Sequence, residues 1–89
     1  MKHSYLEVTY RKGRPLAAYF YLPRPNAERS ARTESAEGGL LVDYSADGKP
    51  IGIEITSPSR LDLAQLNQLL DRLGQEPVAR EDLVPLVAA

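Results

Sequence analysis

The 89-residue chain has no cysteine and no tryptophan, and only one histidine, one methionine and one phenylalanine. Without cysteine no disulfide can staple a small fold. With one histidine besides, a zinc site built from the usual Cys and His donors is excluded. That histidine, His3, stands where termini fray, so a Ser–His or Cys–His nucleophilic pair has no histidine held in place. No apolar run approaches the length of about 18 residues that a membrane-spanning helix needs. Met1-Lys2-His3-Ser4-Tyr5 leads into an alternating pattern rather than an apolar signal segment, so the expected compartment is the cytoplasm. Neither G-x-G-x-x-G after a strand nor G-x-x-x-x-G-K-[ST] occurs, so no phosphate cradle is signalled. The expectation is one non-enzymatic domain over residues 1–89, with no cofactor and no metal.

Leu, Ile, Val and Phe make up about a quarter of the chain, more than a disordered protein carries. For a domain this short the core is nonetheless modest. With disulfides and zinc removed, oligomerisation is the remaining route to added burial. The net charge of −1 conceals an asymmetry. Residues 1–32 hold Lys2, Arg11, Lys12, Arg14, Arg24, Arg29 and Arg32 against Glu7 and Glu28, whereas residues 33–89 are strongly acidic. Attraction between the halves, within one chain or between two, explains this split better than a nucleic-acid patch, because overall basicity is missing.

Leu6, Val8 and Tyr10 alternate with Glu7, Thr9 and Arg11, the period of a strand. Lys12-Gly13-Arg14-Pro15 is turn chemistry. Leu16–Leu22 then reads as an antiparallel partner, with Leu16, Ala18, Phe20 and Leu22 on one face. Pro23-Arg24-Pro25-Asn26 ends it. Residues 23–39 are polar, and a short edge strand near Ser30–Ser35 is expected within them. In Gly39–Thr56, Asp47-Gly48 between two alternating runs signals a hairpin. As a two-residue turn it sets Tyr44 against Ile51, Val42 against Ile53 and Leu40 against Ile55.

The period then changes. Leu66, Leu69, Leu70 and Leu73 fall at i, i+3, i+4, i+7 and predict a helix over Leu63–Leu73. Asp62 is its N-cap, Gln65 completes a capping-box variant, and Leu61 with Leu66 forms a hydrophobic staple. Gly74 ends it, and Arg80–Leu83 reads as a short helical turn before Pro85. The expected fold is α+β: an antiparallel meander of four strands, with a fifth short edge strand, over residues 5–58. One amphipathic helix and a tail follow over residues 59–89, the helix packed on one sheet face.

The other face gathers Tyr5, Glu7, Thr9, Arg11, Ala17, Tyr19, Tyr21, Leu41, Asp43, Gly52 and Glu54. Aromatic residues among opposite charges resemble interface composition. The candidate interaction residues are therefore Tyr5, Arg11, Tyr19, Tyr21, Leu41, Asp43, Gly52 and Glu54. Expected partners are a second copy of the chain, as a homodimer, or one other protein; neither a membrane nor a nucleic acid is expected, since Glu7, Asp43 and Glu54 would repel phosphates. Asp43 and Glu54, diagonal on this face, could instead hold a divalent cation or do acid–base work. The plainer reading is pairing with a base such as Arg11 or with a partner chain.

The pattern Gly39, Asp43-Tyr44, Asp47-Gly48, Gly52-Ile53-Glu54-Ile55 resembles the small, mostly prokaryotic family known as domain of unknown function 2283. Its consensus has the form G-x-x-x-D-Y-D-x-x-G-x-x-x-G-I-E-I; Ser45 stands where the family often has an aspartate. Arg11-Lys12-Gly13-Arg14-Pro15 replaces the family's acidic first turn, so a metal role of that turn does not carry over. The resemblance implies the extra strand near Ser30–Ser35 and no established activity. For some members it implies an antitoxin-like role beside an adjacently encoded protein.

Overall fold

The computed structural model describes residues 4–23 and 29–83. His3, the Pro25-Asn26 strand stop and Pro85 lie outside the described residues. Five strands come first: β1 (Tyr5–Arg11), β2 (Arg14–Tyr21), β3 (Arg32–Ala36), β4 (Leu40–Tyr44) and β5 (Pro50–Ile55). One helix follows, α1 (Leu63–Arg72), between single helical turns at Pro58–Arg60 and Arg80–Leu83. The strands form one open antiparallel sheet in the order β1-β2-β5-β4-β3. The order departs from a simple meander. The link after β2 carries the chain to the far edge, and β3, β4 and β5 then step back until β5 closes on β2. Alternation dictates which face each side chain takes, but not which strand lies beside which.

The β1–β2 turn uses two residues, Lys12 at φ 52° and Gly13 at φ 77°. Both central residues thus lie in the left-handed region that the twist of a tight hairpin favours. Lysine pays for its Cβ there. Lys12→Asn is accordingly expected to stabilise the chain by about 0.5 kcal/mol, read as a higher urea midpoint with unchanged slope.

The β4–β5 turn differs from the expected two-residue form. Ser45 N–H bonds the Lys49 carbonyl at 2.8 Å and Gly48 N–H bonds the Ser45 carbonyl at 3.0 Å, so the loop is Ala46-Asp47-Gly48. Gly48 takes the left-handed position, φ 83°. The buried Ser45 hydroxyl donates to Asp47 at 3.0 Å and accepts from Lys49 N–H at 3.2 Å. The extra loop residue is absorbed by an irregularity beside Asp43. Leu40 faces Ile55 and Val42 faces Ile53 as expected, but Tyr44 faces Pro50 instead of Ile51.

The core lies between the sheet and α1: Phe20, Leu22, Leu40, Val42, Ile53 and Ile55 meet Leu66, Leu69, Leu70 and Leu83. Two residues assigned to this face stay outside it, Tyr10 and Leu16, each 53% exposed. The reason is topological. β5 pairs with β2 only over Ala18–Tyr21, so the tip of the β1–β2 hairpin runs on past its neighbour. A register shift after Thr9 adds to this.

Asp62 caps α1, accepting from Ala64 N–H at 2.8 Å and Gln65 N–H at 3.4 Å. The Gln65 side chain lies against Gly38 in the β3–β4 turn. At the other end Gln75 N–H bonds the Leu70 carbonyl at 2.8 Å and Gly74 N–H bonds the Asp71 carbonyl at 3.0 Å, a Schellman closure. The chain then returns along the helix. The Asn67 amide donates to the Val78 carbonyl at 3.1 Å and accepts from Val78 N–H at 2.8 Å. This clamp positions the turn that buries Leu83. Asn67→Ala leaves both Val78 groups without that partner and is expected to cost about 1–3 kcal/mol in chemical denaturation. A loss below a few tenths would show that the clamp holds nothing.

Candidate functional site

Away from the helix, the other sheet face is crossed by one chain of side-chain contacts that touches all five strands. On β1 the Tyr5 ring stacks on Tyr21 of β2, with centroids 4.3 Å apart and an interplanar angle of 16°. Tyr21 meets Tyr19 edge to face at 4.7 Å. The Tyr21 hydroxyl donates to Glu7 on β1 at 3.2 Å. The Tyr19 ring lies over Gly52 of β5, and its hydroxyl donates to Asp43 on β4 at 2.7 Å. The second Asp43 oxygen accepts from the Thr33 hydroxyl on β3 at 2.5 Å.

Each link follows from register. Tyr5 is opposite Tyr21 and Glu7 opposite Tyr19. Tyr19 stands opposite Glu54, and Tyr21 opposite Gly52. Asp43 is opposite Gly52 on one side and Thr33 on the other. The tyrosines therefore reach diagonally, the span over which long side chains still meet. Tyr19 reaches Asp43 because Gly52 has no side chain. A Cβ there would overlap the Tyr19 ring at its far end.

The structure gathers Tyr5, Tyr19, Tyr21, Asp43 and Gly52 into this stripe. Leu41 and Glu54 flank it, half-buried and opposite each other. Asp43 and Glu54 stand diagonal as expected. Arg11 is not part of the group: it faces Arg14 at the hairpin tip. From β1 to β4 is three strand spacings, about 14 Å, too far for an Arg11–Asp43 pair. Asp43 is engaged by two hydroxyls instead. Thr33 was not among the candidates; its signal was the edge strand expected near Ser30–Ser35, without a register to place it. Glu7 carried its signal in the alternation of β1.

Chemically, the stripe is a set of aromatic rings of which the two on β2 have their polar ends satisfied. Asp43 and Glu7 accept the Tyr19 and Tyr21 hydroxyls, and the ring faces are fixed by the Tyr5–Tyr21 stack and the Tyr19–Tyr21 edge contact. Such a surface offers apolar area at low entropic cost, since its rotamers are held before anything binds. Among the described residues no group of three or more His, Cys, Asp or Glu side chains is arranged to hold a metal ion. No described helix is long and apolar enough to cross a membrane.

The architecture is that of a small α+β domain with an open antiparallel sheet. Residues 17–58, from within β2 to just past β5, match the family described as a protein of unknown function, DUF2283, in agreement with the resemblance of Gly39–Thr56. The match takes in Tyr19, Tyr21, Thr33, Asp43 and Gly52, and leaves out β1 and the helix. No curated protein and no solved structure matches the chain.

Proposed function

We propose that the chain is a non-enzymatic protein-interaction module of the cytoplasm, and that the stripe Tyr5–Tyr21–Tyr19 is its contact surface. The observation that carries the reading is the arrangement of the two sheet faces. One is covered by α1 and the turn at Leu83. The other holds stacked tyrosines with no described element over them, Tyr5 being 48% exposed. Tyrosines fixed in this way are the residue type that dominates binding energy at protein interfaces. A divalent-cation or acid–base role for Asp43 and Glu54 draws less support, because both Asp43 oxygens already accept hydroxyl hydrogen bonds.

The test compares wild type with Tyr21→Ala. The substitution removes the central ring, which touches Tyr5, Tyr19 and Glu7, and leaves the helix face untouched. Crosslinking in cells, followed by identification of captured proteins, should return a partner for wild type and lose it for the variant at equal fold, checked by circular dichroism. The adjacently encoded protein of the antitoxin-like reading is the first to look for. Capture that is indifferent to Tyr5, Tyr19 and Tyr21 would sink this assignment.

A further inference from the structure

We infer that two copies of this chain join through β1, edge to edge and antiparallel about a two-fold axis at Val8, so that one sheet runs through both. This rests on reading the chain as an interaction module, and it names a second copy as the partner at a surface other than the tyrosine stripe.

The direction of the backbone supplies the first argument. Leu22 N–H bonds the Ile51 carbonyl at 3.1 Å. In an antiparallel ladder successive residues turn their backbone groups to opposite sides. Leu22 therefore fixes Tyr19 and Tyr21 as residues that bond toward β1, where Glu7 and Tyr5 lie opposite. The intervening residues Leu6 and Val8 turn their N–H and C=O outward, at the end of the sheet order. An edge with this alternation is a template for another strand.

The two edges of the sheet differ. β3 reads Arg-Thr-Glu-Ser-Ala, exposed for four of its five residues, with an Arg32–Glu34 ion pair at 3.1 Å along it. Charged, short edges of this kind resist pairing. β1 is longer, at seven residues, and half-buries Leu6 and Val8 against the core.

Self-complementarity fixes the register. With Val8 opposite Val8 of the second copy, Leu6 meets Tyr10 of that copy on the helix side, and each brings apolar area to the other. On the stripe side Tyr5 meets Arg11 of the second copy and Glu7 meets its Thr9; Glu7 is diagonal to its Arg11 and, across the axis, to its Glu7, a like-charge contact that the two arginines offset. An arginine beside a tyrosine face and an opposite charge on the diagonal are both favourable cross-strand neighbours. All seven residues of β1 are used. Shifting the axis to Glu7 sets like charges opposite each other, and shifting it to Thr9 puts Leu6 against the Lys12 turn and leaves Tyr5 without a partner strand. A half-step register would send Leu6 and Val8 to the opposite face from their counterparts. This arrangement also gives Arg11 a role: it completes the stripe of the other copy, not of its own.

The experiment is light scattering with size-exclusion on the full chain, across about 1–100 µM, a range that covers ordinary reversible dimers. Wild type should run at twice its 9.8 kDa mass. Val8→Pro removes an outward N–H that the β1–β2 ladder does not use, a position where edge strands accept proline. Arg11→Glu sets a second acid near Glu7 of the other copy. Each should weaken the dimer by about tenfold or more, the size expected when favourable cross-strand neighbours are lost or reversed. Glu7→Arg with Arg11→Glu should restore most of the loss. Arg11 is exposed, so its variant keeps the test open if Val8→Pro fails to fold. A wild-type monomer at 100 µM overturns the inference, and so does a dimer that ignores Arg11→Glu but is lost with Tyr21→Ala. Either outcome leaves the interaction reading to its own crosslinking test.

Discussion

Gly52→Val is expected to unseat Tyr19 and break the stripe in the middle of the sheet. The valine Cβ would fall within the Tyr19 ring and hydroxyl, so the ring must swing off β5 and release Asp43. Overpacking at such a contact costs about 1–3 kcal/mol. For a domain of this size about 2 kcal/mol lowers Tm by roughly 8–16 °C. The decisive measurement is a double-mutant cycle with Tyr19→Ala. Once the ring is gone, valine fits a β5 position better than glycine does, and the second substitution should cost little or even stabilise. Additive losses would mean that Gly52 is needed for some reason other than the ring above it. The same cycle separates stability from binding, because Tyr19→Ala with Gly52→Val should fold and still fail to engage a partner through the stripe.

Leu66→Ala is expected to have the larger effect. Leu66 is fully buried at the second turn of α1, and among the described residues this helix, with the turn at Leu83, closes the core from above. Truncation of a buried leucine costs about 2–5 kcal/mol, the high end applying where neighbours cannot collapse into the space. Small domains have a total stability near the lower end of about 5–15 kcal/mol. The variant should therefore unfold at a much lower urea concentration with an unchanged slope, and be partly unfolded at physiological temperature. A loss below about 1 kcal/mol would contradict the packing of α1 on the sheet.

These two positions show what could be read in the sequence and what could not. Leu66 was legible: its spacing with Leu69, Leu70 and Leu73 predicts the helix, and Asp62 marks its start. The facing of Leu40 with Ile55 and of Val42 with Ile53 was legible as well, because a hairpin fixes its register locally. Tyr44 was misplaced by one residue. Asp47-Gly48 serves equally in a two-residue turn and at the end of a three-residue loop, and the choice turns on where Ser45 spends its hydrogen bonds. Gly52 was legible as a candidate on the tyrosine face and as part of the Gly52-Ile53-Glu54-Ile55 motif, its missing side chain leaving room for a tyrosine ring or a partner's backbone. Its ring partner depends on β2 lying beside β5, which alternation cannot specify, since a strand paired with either neighbour shows the same two faces. Leu16 and Tyr10 were assigned to the core for the same reason: their pattern is correct, but β5 ends before it reaches them. The Asn67 clamp left no signal, because an asparagine at an outward helical position has the appearance of ordinary solvent-facing polarity.

The strand order also has a consequence in time. Among the described residues every strand pairing except one joins neighbours in sequence: β1 with β2, β3 with β4, β4 with β5. Each can form as a local hairpin on the microsecond scale. The seam between β2 and β5 brings Ala18 to Ile55 and must close a far larger loop before any contact rewards it. Two locally formed pieces are therefore expected to meet there, with their meeting as the slow step of folding. Tyr19 and Gly52 lie on that seam. Substitutions at Phe20 or Ile53 should slow refolding in stopped-flow experiments, whereas those in β3 should mainly speed unfolding.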